Sequence, residues 1–71
     1  MTIKQCISWA REQLADSCGR PLLEAELLLA HHLQKERIYL HLHENDEVKN
    51  AKVFESLVAR RAMHEPYEYI V

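Results

Sequence analysis

The residues of this 71-residue chain that could hold a metal ion are mainly its five histidines. His31 and His32 are adjacent, so they face different sides of a helix and are poorly placed to share one ion. His41 and His43 would lie on one side of a strand but not of a helix, with His64 as a conceivable third ligand. No cysteine or carboxylate spacing completes a zinc site. Solvated or helix-capping histidines are therefore the better interpretation.

Nucleophilic and cofactor chemistry has no better support in the sequence. Cys6 has no general base at a fixed spacing, and a nucleophile needs one nearby. The chain has no glycine-rich phosphate loop, dinucleotide fingerprint or nucleophile elbow. Cys6 and Cys18 are too few for a disulfide framework, so we expect two reduced thiols. The residues alone indicate a helical interaction or accessory domain.

Composition predicts an all-α fold, a small bundle of four to five short helices. A single glycine and two prolines are few for a chain of tight turns. The net charge of −2 argues against direct binding of nucleic acid, and Arg60-Arg61 is the only basic doublet. No apolar run approaches the roughly 20 residues of a membrane span, and the N-terminus does not resemble a signal peptide. We therefore expect a cytoplasmic protein with no membrane partner.

The first helix is predicted over Ile3 to Cys18. Thr2 followed by Gln5 has the spacing of a capping box, and Gly19 stands where a left-handed residue commonly ends a helix. Apolar residues recur on one face at steps of three and four. Trp9 lies off that face, so it either borders the core or contacts a partner.

The second helix is predicted to begin at Pro21 and to occupy the centre of the bundle, because residues 22–33 are apolar on most sides. Glu26 lies among these apolar residues, and a buried carboxylate needs a basic partner. We expect an ion pair with Arg60 or Arg61 of the last long helix. The alternative is that both arginines are solvated.

Residues 36–43 alternate like a strand, but no second strand could pair with them, so a short helix is the better prediction. A longer helix is then expected from Val48 to Met63, capped by Asn45 or Asp46. It ends before Pro66. Residues 67–71 begin a new element that stops abruptly, which suggests that the chain was cut from something longer.

Two segments carry a family resemblance. Residues 20–33, RPLLEAELLLAHHL, and residues 60–70, RRAMHEPYEYI, resemble signatures of the N-terminal domain of the HemK/PrmC family. The family pattern is approximately (D)AE-x-LL-x-H-x-L followed by RR-x-x-(G)EP-x-x-YI. This chain has Glu24 where the family often has aspartate, His32 where it often has an apolar residue, and His64 where it often has glycine. The resemblance covers essentially the whole chain.

The resemblance implies that residues 1–66 are the substrate-docking domain of a larger enzyme, with residues 67–71 starting the next helix or linker. Members of the family transfer a methyl group from S-adenosylmethionine to the glutamine of the Gly-Gly-Gln motif in class 1 peptide chain release factors. The Rossmann-like domain that binds the cofactor and carries catalysis is not in this chain, so no catalytic or cofactor residue can be assigned. The release factor and the enzyme's own catalytic domain are the implied partners.

The candidate contacts with a partner or with the catalytic domain are Arg60, Arg61, Glu65, Tyr67 and Tyr69. Tyrosines suit half-wet interfaces, so Tyr67 and Tyr69 are expected to pack with Ile70 towards the catalytic domain, unless they close this bundle. The main rival is a free-standing helical adaptor. A helix-turn-helix regulator and a small histidine metal sensor are weaker alternatives.

Overall fold

The computed structural model describes all residues, 1–71, and contains five helices. These are α1 (Ile3–Leu14), α2 (Pro21–Leu33), α3 (Arg37–Leu42), α4 (Ala51–Ala62) and α5 (Tyr67–Ile70). The only β pairing is an isolated antiparallel bridge between Thr2 and Glu47. The predicted all-α class is therefore confirmed, including the helix rather than strand in residues 37–42. None of the helices has the length and apolar character needed to cross a membrane.

Helix α2 is the central element, because it contacts α1, α3 and α4. It supplies more buried residues than any other helix, and its Leu28 and Leu29 are completely inaccessible to solvent. Phe54 of α4 fills the space opposite and is also fully buried. The apolar core comprises Ile3, Cys6, Ala10, Leu14, Ala25, Leu28, Leu29, Ala30, Leu40, Val48, Phe54, Val58 and Ile70.

The start of α1 follows the sequence prediction, but its end does not. The Thr2 hydroxyl accepts from the Gln5 N–H at 3.2 Å, and the Gln5 side chain accepts from the Thr2 N–H at 2.9 Å. The helix ends at Leu14 rather than Cys18, because the N–H groups of Ala15 and Ser17 donate to carbonyls three residues back instead of four. Gly19 does not have a positive φ, so it is not the left-handed residue that was expected.

The predicted start of α4 is also wrong, because residues 44–48 form backbone hydrogen bonds with the N-terminal residues instead of entering the helix. Their backbone lies against the N-terminus of α1, where Ile3 N–H donates to the Asp46 carbonyl and Val48 N–H donates to the Met1 carbonyl, both at 2.9 Å. These contacts hold residues 44–48 in a turn followed by a single β bridge, so α4 begins only at Ala51. Asn50, at φ 56°, occupies the N-cap position instead of Asn45 or Asp46, and its side chain makes no capping hydrogen bond.

The C-terminal element closes the bundle. Ile70 belongs to the buried core, and Tyr67 packs against that core while remaining partly exposed. Tyr69 is 73% exposed. Of the three residues expected to face a following domain, the structure therefore leaves Tyr69 most available for an outside contact.

Candidate functional site

The Arg-Arg-x-x-x-Glu-Pro segment builds the junction between α4 and α5. Arg60, in the last turn of α4, donates two hydrogen bonds to the Glu65 carboxylate, one from Nε at 2.8 Å and one from Nη2. Its Nη2 also donates to the Tyr69 carbonyl at 3.1 Å. The bond to Glu65 raises the pKa of the Arg60 guanidinium and lowers the pKa of the Glu65 carboxyl. Arg60 therefore fixes the direction in which α5 leaves α4.

Arg61 joins this junction to the centre of the bundle. Its Nε donates to Glu24 Oε1 of α2 at 2.7 Å, and its Nη1 donates to the Glu65 carbonyl at 3.3 Å. Both side chains are about four-fifths buried. The hydrogen bond to Glu24 is the main reason that the pKa of Arg61 is raised. The first motif segment is thus tied to the second through Glu24.

The junction also requires an unusual backbone conformation. His64 follows the C-cap Met63 and has φ 68°, in the left-handed region. Glycine adopts this conformation without a steric penalty, whereas other residues do so less readily. This position is the one at which the resembling family often has glycine.

The expected ion pair between Glu26 and Arg60 or Arg61 is not formed. Glu26 is buried, and its Oε1 accepts from Arg37 Nη2 at 2.8 Å. Its Oε2 lies 3.6 Å from His41 Nε2. The requirement for a basic partner is met by α3, which follows α2 directly, because Arg60 and Arg61 are already bound to Glu65 and Glu24. Arg37 follows Glu26 by eleven positions in the chain. A short turn between α2 and the next helix would bring these two positions together, so the sequence could have indicated this pairing.

Three grooves lie on the helical surface. One of about 360 Å³ lies beside Arg11 and Pro21. The largest, about 410 Å³, runs between α1 and α4 and is lined by Trp9 and by the small side chains Ser56 and Ala59. Trp9 also packs against the core, edge-on to Phe54 with 6.4 Å between ring centres. Trp9 therefore lies at the border of the core, which is one of the two positions that the sequence predicted for it. The smallest groove, about 240 Å³, contains Glu26 and His41.

His32 and His43 make structural contacts, and both thiols are shielded from solvent. His32 Nε2 lies 2.9 Å from the Lys49 carbonyl. The ring of His43 stacks on Tyr39 with 4.0 Å between ring centres. No three histidine, cysteine or acidic side chains converge in an arrangement that could hold a metal ion. Burial raises the pKa of the Cys6 and Cys18 thiols, which makes both poorer nucleophiles.

Comparison with known proteins connects this arrangement to a family. The PrmC N-terminal domain family matches residues 5–71. The chain belongs to that family. The PrmC N-terminal domain match includes both motif segments, and so the ion pairs Arg60–Glu65 and Arg61–Glu24 lie within it.

Two curated relatives of this PrmC N-terminal domain are both described as a bifunctional methyltransferase. The protein of Rickettsia conorii is 40% identical over 72 residues, and that of Rickettsia prowazekii is 37% identical over 73 residues. The matches cover 97% and 99% of this chain but 14% of each relative, so the chain spans about one-seventh of their length. No solved structure matches the chain.

Proposed function

We propose that this chain is the substrate-docking domain of an S-adenosylmethionine-dependent methyltransferase that modifies class 1 peptide chain release factors. The reaction would transfer the methyl group to the N5 atom of the glutamine in the Gly-Gly-Gln motif. The cofactor and the catalytic groups would come from the larger remainder of the protein. This activity places the protein in the cytoplasm, where peptide release takes place.

Family membership is the observation that carries this proposal. The match to the PrmC N-terminal domain runs over nearly the whole chain, and the two relatives are named as methyltransferases. The fold is consistent with a docking role, because it leaves apolar surface uncovered. Apolar side chains remain exposed at both α3 and the C-terminal segment.

We further propose that residues 1–66 form the docking domain and that residues 67–71 lead into the catalytic domain. Arg60 and Glu65 hold α5 in one direction relative to α4, and Arg61 anchors that junction on α2. In this arrangement Arg60, Arg61, Glu65 and Tyr67 position the connection. Tyr69, which is largely exposed, would contact the catalytic domain directly.

Titration of the isotopically labelled chain with a purified class 1 release factor tests the docking role. We expect amide shift changes confined to one face of the bundle. The chain should also inhibit methylation of the release factor by a full-length enzyme of the family, by raising its apparent KM. Absence of both effects at about 1 mM chain would contradict the docking function, since a dissociation constant above about 1 mM leaves less than about 4 kcal/mol for docking.

A further inference from the structure

The smallest groove combines an apolar wall with a nearly buried carboxylate. It has a volume of about 240 Å³ and lies where α1, α2 and α3 meet. Ile7, Leu22 and Leu40 form its apolar wall, and Leu40 is fully buried at the base. Leu22 is 44% exposed although it is a large aliphatic residue. This wall matches the methylene stem of a long side chain.

The Glu26 carboxylate presents one oxygen to this groove without a hydrogen-bond donor. Only 5% of the residue is exposed. Both hydrogen bonds from Arg37 go to Oε1, from Nε at 3.3 Å and from Nη2 at 2.8 Å. Oε2 accepts none, since His41 Nε2 is 3.6 Å away. Every fully buried side-chain oxygen and nitrogen of the protein has a hydrogen-bond partner. Because Oε2 has none, it is not fully buried, and it meets solvent in the groove that Glu26 lines.

We infer that this groove binds one basic side chain, a guanidinium, contributed by a protein partner. Its N–H groups would donate to Glu26 Oε2, and its stem would lie along Ile7 and Leu22. A charged donor satisfies a carboxylate oxygen more strongly than a neutral one. Lys4 and Glu44 flank the groove with opposite charges, and Arg37 already binds Oε1 of Glu26. The attraction for a second guanidinium therefore comes from the acceptor capacity of Oε2 and not from a net negative charge of the groove.

The surroundings favour a side chain of a protein over a free cation. Arg37, Ile38, His41 and Leu42 share one side of α3, because they are spaced by one and four residues. Ile38 and Leu42 are 60% and 72% exposed. They place apolar surface beside the groove, which a protein partner would cover when its basic residue enters. We take this partner to be the docked release factor, and that identification rests on the proposed function. The binding of a guanidinium in the groove does not depend on it.

The first test uses N-acetyl-arginine methylamide as the probe and N-acetyl-citrulline methylamide as its uncharged equivalent. Amide shifts of the labelled 71-residue chain are followed during each titration. We expect saturating changes around Glu26 and Leu22 with the arginine compound, and binding weaker by at least about tenfold with citrulline. Equal binding of the two compounds, no binding, or changes located elsewhere would overturn the inference.

Variants with opposite expected effects separate ligand binding from folding. Glu26→Gln should weaken binding of the arginine probe about tenfold, and Glu12→Gln, an exposed control on α1, should leave it unchanged. Arg37→Gln frees Oε1 from a competing guanidinium, so it should tighten binding. Arg37→Gln therefore gives a result even where Glu26→Gln fails to fold. Unchanged or weaker binding by a folded Arg37→Gln variant would refute the assignment.

The release factor provides an independent measurement. A Glu26→Gln chain that is folded should bind the release factor at least about fivefold more weakly than the wild-type chain. Unchanged affinity would overturn the groove as part of the docking surface while leaving the docking function intact. Loss of docking by the wild-type chain would instead reject the proposed function, with the result of the arginine titration unaffected.

Discussion

The partner of the buried Glu26 carboxylate can be established by a double-mutant cycle. The perturbations are Glu26→Gln, Arg37→Gln and the double variant. Glutamine has the same shape as glutamate, keeps the inner methylenes of arginine, and removes the charge of either side chain. The cycle isolates the energy of the pair from the separate effects of each substitution.

The structure sets the expected size of the coupling. The Glu26 side chain is 6% exposed, whereas that of Arg37 is 47% exposed. Exposed pairs contribute about 0–1 kcal/mol, and breaking a fully buried pair costs about 3–5 kcal/mol. A pair with one buried and one half-exposed member should therefore couple by about 1–2 kcal/mol. For a chain of 71 residues, a loss of 1 kcal/mol lowers Tm by about 7 °C.

Urea unfolding followed by far-ultraviolet circular dichroism measures these energies. With an m-value of about 1 kcal/mol/M, the pair should account for a shift of about 1–2 M in the urea midpoint. The matched cycle combines Glu26→Gln with Arg61→Gln, and its coupling should be within about 0.5 kcal/mol of zero. A larger coupling to Arg61 than to Arg37 would refute the reasoning and restore the pairing expected from the sequence.

Four further outcomes follow from local features. Phe54→Ala should cost about 3–5 kcal/mol, because Phe54 is fully buried, and urea unfolding should show a chain close to its stability limit. Thr2→Ala removes the cap of α1 and should lower Tm by about 7 °C, a loss of roughly 1 kcal/mol, in a thermal scan. His64→Gly relieves the left-handed strain after α4 and should raise Tm by a few degrees; a lower Tm would contradict this. The folded-state pKa of Glu65 is lowered by Arg60, so its stabilising contribution is present above the unfolded pKa of about 4.3 and is lost as the pH falls through the folded value. The urea midpoints of wild type and Glu65→Gln should therefore converge in acid.

The helices could be predicted from the sequence to different degrees. The start of α1 is correct because Thr2 and Gln5 form a cap from neighbouring residues alone. The start of α2 is correct because Pro21 fits the first turn of a helix. The start of α4 was displaced, since the backbone of residues 44–48 bonds to residues 1–4, which are distant in sequence. Local capping rules contain no information on such a contact.

The candidate site was predicted in part. The motif indicates the Arg60-Arg61 segment, whose two arginines the structure places in ion pairs with Glu65 and Glu24, while their contact with a partner stays a prediction. The apolar neighbours of Glu26 correctly indicate that it needs a basic partner. The partners themselves were assigned wrongly, because a charge pattern gives the sign of a partner and not its position. The groove around Oε2 could not be predicted, since it requires the relative placement of three helices.

The sequence by itself determined the all-α class, the central position of α2 and membership of the family, because these depend on apolar periodicity and on two contiguous motifs. Tertiary structure decided which carboxylate binds which arginine. It also decided where α4 begins and which oxygen of Glu26 faces the groove. These features depend on distances of a few ångströms between residues far apart in the chain, and only packing of the helices sets such distances.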